Sequence, residues 1–154
     1  MEMIGSPAPG FHLQDQHGVG WQLSELRDRP VILVFYPFAF TGVCSGELRA
    51  LRDEFVPSVG DVAEVLAISC DSMFSLRVFG ETEGLMFPLL SDFWPHGAVA
   101  SAYGVFDEER GCARRGTFLI DTEGIVRWSV VNDLPDARHV TDYRRALDEI
   151  MAAP

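Results

Sequence analysis

The stretch Val31-Ile32-Leu33-Val34-Phe35-Tyr36-Pro37-Phe38-Ala39-Phe40-Thr41-Gly42-Val43-Cys44 decides how this chain is read. Its first six residues are apolar throughout, the pattern of a strand covered on both faces. From residue 42 the spacing changes. Cys44, Leu48, Leu51 and Phe55 recur at helical intervals and predict a helix over 42–56, with Arg49, Arg52, Asp53 and Glu54 mostly on the other face. Thr41 is the expected N-cap. One thiol therefore sits where a buried strand gives way to a helix. A helix start offers unpaired N–H groups and partial positive charge, and both favour thiolate, the reactive form of cysteine. Gly46 weakens the first turn by about 1 kcal/mol relative to Ala, which would let Cys44 swing outward.

Working outward, Phe11 to Gln14 and Trp21 to Leu23 read as a hairpin around the turn Asp15-Gln16-His17-Gly18. Ser24 is read as the cap of a short turn, Glu25-Leu26-Arg27. A second buried strand is predicted over 62–69, and a helix over 73–83 capped by Asp71-Ser72. Phe87-Pro88-Leu89-Leu90 reads as a short strand. The aromatic loop Phe93-Trp94-Pro95-His96-Gly97 leads to a short helix ending near Tyr103. Strands 116–121 and 125–131 join through Thr122-Glu123-Gly124, and a last helix runs from His139 to Met151. Strands alternate with helices before a closing hairpin and helix, which is a mixed α/β layered domain.

The 154 residues suit one domain, 1–154, and 47% apolar content supplies a core. A net charge of −11 argues against nucleic acid or an anionic membrane as partner. No apolar run approaches the roughly 20 residues of a membrane span. The start Met1-Glu2-Met3-Ile4-Gly5-Ser6-Pro7 lacks a basic-then-apolar segment, so no secretory signal is expected. The three cysteines, Cys44, Cys70 and Cys112, form no CxxC and no zinc-spaced cluster. Reduced thiols in a cytoplasmic compartment are the expectation, with no metal and no cofactor. The four histidines are dispersed and read as structural or surface residues.

Pro37-x3-Thr41-x2-Cys44 resembles the PxxxTxxC signature of peroxiredoxins. Pro88-Leu89-Leu90-Ser91-Asp92 and Arg115-Gly116-Thr117-Phe118-Leu119-Ile120-Asp121 are similar to two further segments of that family. The runs from Ser91 to Val99 and Tyr103 to Phe106 resemble its one-cysteine, alkyl hydroperoxide reductase E-type branch. The likeness spans roughly residues 4–131. It implies a thioredoxin-like fold, a central mixed β-sheet flanked by helices with an N-terminal β-hairpin. It also implies a peroxidase acting on hydrogen peroxide, organic hydroperoxides and peroxynitrite through a Cys44 thiolate that becomes sulfenic acid.

The roles it implies fit the chemistry. Cys44 is the nucleophile, and the Thr41 hydroxyl and the Val43 and Cys44 N–H groups bond the sulfur or the peroxide. Pro37 shapes a dry pocket without a competing donor. Arg115 brings a permanent cation, in preference to Arg114, because neighbours on a strand face opposite ways. Glu47 is read as a supporting residue, with an ordinary surface glutamate as the alternative. Cys70 reads as a packed thiol. Cys112, placed in a polar loop, is a departure from one-cysteine relatives and a candidate resolving thiol.

Phe38, Phe93 and Trp94 read as a pocket collar, as ordinary core or, as the family implies, as the edge of a homodimer. The reductant would be a low-molecular-weight thiol or a mycoredoxin- or glutaredoxin-like protein, or a thioredoxin-like protein if Cys112 resolves. A peroxide-sensing redox relay would show the same site. A disulfide oxidoreductase would need CxxC, and residue 41 is Thr.

Overall fold

The computed structural model describes residues 3–152; residues 1–2 and 153–154, included in the expected domain and in the reading of the chain start, lie outside them. Seven strands form one mixed sheet in the order β2-β1-β5-β4-β3-β8-β9. These are β1 (His12–Gln14), β2 (Gly20–Gln22), β3 (Val31–Phe35), β4 (Glu64–Ser69), β5 (Leu89–Ser91), β8 (Arg115–Ile120) and β9 (Val126–Asn132). β3 runs parallel to β4 and antiparallel to β8, so the apolar run occupies the interior of the sheet. All five of its residues are buried. Strand alternation divides them between two apolar layers. Ile32, Val34 and Tyr36 join Cys44, Leu48, Leu76, Phe79 and Leu147, under α1 (Gly42–Ala50), α3 (Met73–Glu83) and α5 (Val140–Ala152). Val31, Leu33 and Phe35 join Leu66, Tyr103, Val105 and Phe118, under α4 (Ala98–Ala102) and the chain start.

The expected central mixed sheet, flanking helices and N-terminal hairpin are present, the hairpin as β1 and β2 in antiparallel register. Several boundaries differ. The helix predicted over 42–56 is α1, then a π-helical segment Leu51–Phe55, then α2 (Val56–Val59). Pro57 explains the break, because it lacks the N–H that would continue the i→i−4 ladder. The wider π turn keeps Leu51 and Phe55 buried on the same side. β4 begins at Glu64 and not Val62, whose N–H closes a turn on Val59 O (2.9 Å). Ser24 lies within a 3-10 turn, Leu23–Glu25, and the residue before that turn is Gln22. The region read as a polar loop around Cys112 is a two-stranded ribbon, β6 (Phe106–Asp107) with β7 (Cys112–Ala113), too short to show alternation in sequence. Ser72 does cap α3, accepting Ser75 N–H at 3.2 Å.

Leu33 is paired with Leu66 on one side and Phe118 on the other, with no exposed surface. Leu33→Ala should cost about 2–5 kcal/mol of unfolding free energy, read from urea denaturation at neutral pH.

Candidate active site

The chain leaves the sheet after Tyr36, whose N–H still donates to Ile68 O (3.0 Å). Pro37 follows and has no N–H to extend the ladder. The connection to α1 is tightly tied. Ala39 N–H donates to Asp71 Oδ2 (2.9 Å), the oxygen that also accepts the Ser69 hydroxyl (2.7 Å). Phe40 adopts φ of 69°, a left-handed conformation that costs a bulky residue of order 1–3 kcal/mol. Its ring packs edge-on against Phe79 with centroids 5.1 Å apart. Thr41 has the extended backbone of an N-cap, but its side chain does not cap the helix. Its hydroxyl donates back to Phe38 O (2.8 Å), closing the loop instead, and its oxygen keeps lone pairs for an incoming donor.

Cys44 stands on the first turn of α1, where the N–H groups of Val43 and Cys44 have no intrahelical carbonyl partner. Its sulfur is buried, although Phe38, Phe40, Thr41, Gly42 and Val43 beside it are exposed. Arg115, the first residue of β8, reaches it from the strand next to β3. Arg115 Nη1 donates to Cys44 Sγ at 3.3 Å and to Glu47 Oε1 at 2.6 Å, and Nε donates to Leu134 O at 2.6 Å. Arg114 turns the other way, toward Asp133 Oδ1 at 3.8 Å. Pro37 is buried beside the loop. Pro37, Thr41, Val43, Cys44, Glu47 and Arg115 are thus gathered at one end of α1 and β8.

Glu47 is no surface glutamate, since it is buried with both oxygens engaged. Its second partner is Arg138. Arg138 donates from its backbone N–H (2.7 Å) and Nε (2.8 Å) to Oε2, and from Nη2 (2.9 Å) to Oε1. Its Nη1 donates to Gly116 O (2.9 Å) and Thr117 Oγ1 (3.1 Å), and Thr117 donates to the Tyr143 hydroxyl (2.9 Å). Nothing in the run Leu134-Pro135-Asp136-Ala137-Arg138 marks that arginine as buried; it is a lone charge before a helix.

Two guanidinium groups therefore face one carboxylate, leaving one positive charge beyond what Glu47 balances, against Cys44 Sγ. Burial alone would raise the Glu47 carboxyl, but the Arg138 hydrogen bonds and charge, then the Arg115 charge, hold it below the ordinary value. Burial works against the Arg138 charge too, and Glu47 more than restores it.

Cys70 and Cys112 are free and buried. Burial, with Asp92 nearby, pushes Cys70 up to about 12, and burial with Asp107 nearby pushes Cys112 up to about 11. Both are neutral thiols at physiological pH. Phe93 and Trp94 are exposed and line, with Met73 and Phe74, a cleft whose walls do not include Cys44.

Glu47→Gln should cost about 3–5 kcal/mol, because it leaves buried cations without their counter-charge. Since the folded carboxyl titrates below its ordinary value of 4.5, the stability it lends is fully present above that pH and is lost as pH falls through the lower folded value. Denaturation midpoints measured across that range should therefore fall less steeply with acid in Glu47→Gln than in the parent protein.

The AhpC/TSA family model matches residues 4–129. Alkyl hydroperoxide reductase E of Mycobacterium tuberculosis is 45% identical over 151 residues, covering 94% of this chain and 97% of the relative. Among solved structures, Enterococcus faecalis AhpC superposes with a TM-score of 0.88 at 26% identity, covering 98% of this chain and 93% of that one. Peroxidoxin BcpB of Mycobacterium tuberculosis superposes with a TM-score of 0.83 at 30% identity, covering 100% and 99%. The sheet with its flanking helices is accordingly the thioredoxin-like fold, and the chain belongs to the AhpC/TSA family of peroxiredoxins.

Proposed function

We propose that the protein is a thiol-dependent peroxidase that reduces hydrogen peroxide and organic hydroperoxides through Cys44. The observation that carries the reading is the 3.3 Å contact between Arg115 Nη1 and Cys44 Sγ, with that guanidinium fixed by Glu47 and Leu134 O. Relatives named alkyl hydroperoxide reductase and thioredoxin peroxidase support the substrate class. The thiolate attacks one peroxide oxygen. An S–O bond forms, the O–O bond breaks, and the departing oxygen takes a proton to leave as water or alcohol. Cys44 is left as a sulfenic acid. Negative charge moves from sulfur to the departing oxygen. Arg115 and the Val43 and Cys44 N–H groups are donors fixed in place to receive it, and the Thr41 oxygen, its hydrogen given to Phe38 O, accepts from a peroxide O–H. Pro37 keeps the floor of the site free of competing donors. A neutral peroxide is not repelled by a chain of net charge −11.

Restoring Cys44 takes two further electrons. The reading supported best is a one-cysteine cycle with an external thiol, either a low-molecular-weight thiol or a mycoredoxin-, glutaredoxin- or thioredoxin-like protein. Cys112 is the alternative resolving thiol, disfavoured because burial keeps it protonated. We place the protein in the cytoplasm as a homodimer, with Phe93, Trp94 and Phe38 as exposed apolar residues at the contact. No helix among the described residues is long and apolar enough to cross a membrane.

Cys44→Ser should abolish peroxide consumption, while Cys70→Ser keeps it. Arg115→Ala should slow Cys44 oxidation about 10²–10³-fold, the usual cost of one preorganised donor. Undiminished turnover by Cys44→Ser would overturn the assignment. After one equivalent of peroxide, mass spectrometry should show one added oxygen on Cys44; loss of two hydrogens would mean a bridge to Cys112. Sustained turnover with a reducing system distinguishes an enzyme from a redox relay.

A further inference from the structure

Tyr36 follows β3 directly, and strand alternation turns its side chain into the layer beneath α1, together with Cys44. The side chain has no exposed surface. Among the described residues its hydroxyl is the one buried side-chain oxygen or nitrogen with no hydrogen-bond partner. Such an orphan is costly, and a native structure keeps few of them.

The phenol's surroundings do not explain it as packing. Burial holds it firmly protonated, so it is available as a donor. The polar and charged groups that act on it are Ser69, Asp71 and Cys44. Ser69 eases its ionisation, yet no hydrogen bond of normal geometry joins the two: the Ser69 hydroxyl donates to Asp71 Oδ2 at 2.7 Å, and its oxygen accepts the Asp71 N–H at 3.3 Å. That same Asp71 oxygen also takes the Ala39 N–H at 2.9 Å. The ring itself is fixed beside Phe79, with centroids 6.4 Å apart. What remains is a buried O–H donor in the same packed layer as the reacting sulfur, without a partner while that sulfur is reduced.

We propose that the Tyr36 hydroxyl is the hydrogen-bond donor for the oxygen that Cys44 gains from peroxide. The orphan then belongs to the reduced state only, and its partner arrives with the reaction. Arg115 and the α1 amides hold the sulfur, and Tyr36, from the end of β3, receives the transferred oxygen. No proton is transferred: the bond forms as the S–O bond forms, and it persists in the sulfenic acid. The proposal rests on the peroxidatic reading of Cys44, since without oxidation of that sulfur the donor has no acceptor.

Tyr36→Phe tests it, because it removes one oxygen and keeps the ring. In the reduced protein the substitution should leave the melting temperature unchanged or raise it, as an unpaired hydroxyl is lost. In the sulfenic form, with one added oxygen verified by intact mass, Tyr36→Phe should melt below the parent. The rate of Cys44 oxidation in single turnover should fall about tenfold, the value of one neutral hydrogen bond. A reduced Tyr36→Phe protein that melts well below the parent would overturn the proposal, since the hydroxyl would then have a structural partner. Equal rates together with an equal oxidised-minus-reduced melting difference in the two proteins would also overturn it. A parent protein that itself fails to consume peroxide sinks the peroxidatic reading instead, so the two failures are told apart.

Discussion

Glu47 lying between two buried guanidinium groups is the interaction on which the rest depends. Three charges packed in a protein interior are expensive to desolvate, and the cluster survives because nearly every donor has an acceptor. Arg138 alone spends its backbone N–H, Nε, Nη1 and Nη2 on Glu47, Gly116 and Thr117. A purely stabilising core would use apolar groups of similar volume. What this arrangement provides is an unbalanced positive charge held still against a sulfur atom, in surroundings too dry to screen it. Preorganisation is obtained at some expense of stability, as is usual for a site that must receive charge during a reaction.

The same trade appears in the connection between β3 and α1. Phe40 holds a left-handed backbone conformation, and that strain persists because the surrounding contacts over-determine it. Asp71 grips the Ala39 amide, Phe79 receives the Phe40 ring, and the Thr41 hydroxyl closes on Phe38 O. The sequence motif of Pro, Thr and Cys is thus only the visible part of a loop whose shape is set by residues from β4, its C-terminal end and α3.

What could be read from the amino acids follows from this division. The continuous apolar run of β3 and the helical spacing of Cys44, Leu48, Leu51 and Phe55 are local signals, and both are present in the fold. Arg115 could be preferred over Arg114 because alternation along a strand is local as well. Arg138 was illegible, since its burial is decided by Glu47 and β8, both far away in the chain. Tyr36 reads as one more apolar strand residue, and only its surroundings show that its hydroxyl lacks a partner. The interruption of the helix at Leu51–Phe55 was hidden because the wider turn preserves the apolar face. Cys112 reads as part of a polar loop because a two-residue strand carries no period.

The chain order of the cluster has a consequence for biosynthesis. Cys44 and Glu47 are made early, Arg115 much later, and Arg138 just before α5. Arg138 is seated by contacts to β8, and Thr117 in that strand bonds the α5 residue Tyr143. A nascent polypeptide on the ribosome therefore carries Cys44 and Glu47 before either of the arginines that surround them. The cluster around that sulfur closes only after residue 138 has been made and β8 has paired, so its assembly is a late event in folding, set by contacts between residues far apart in the chain.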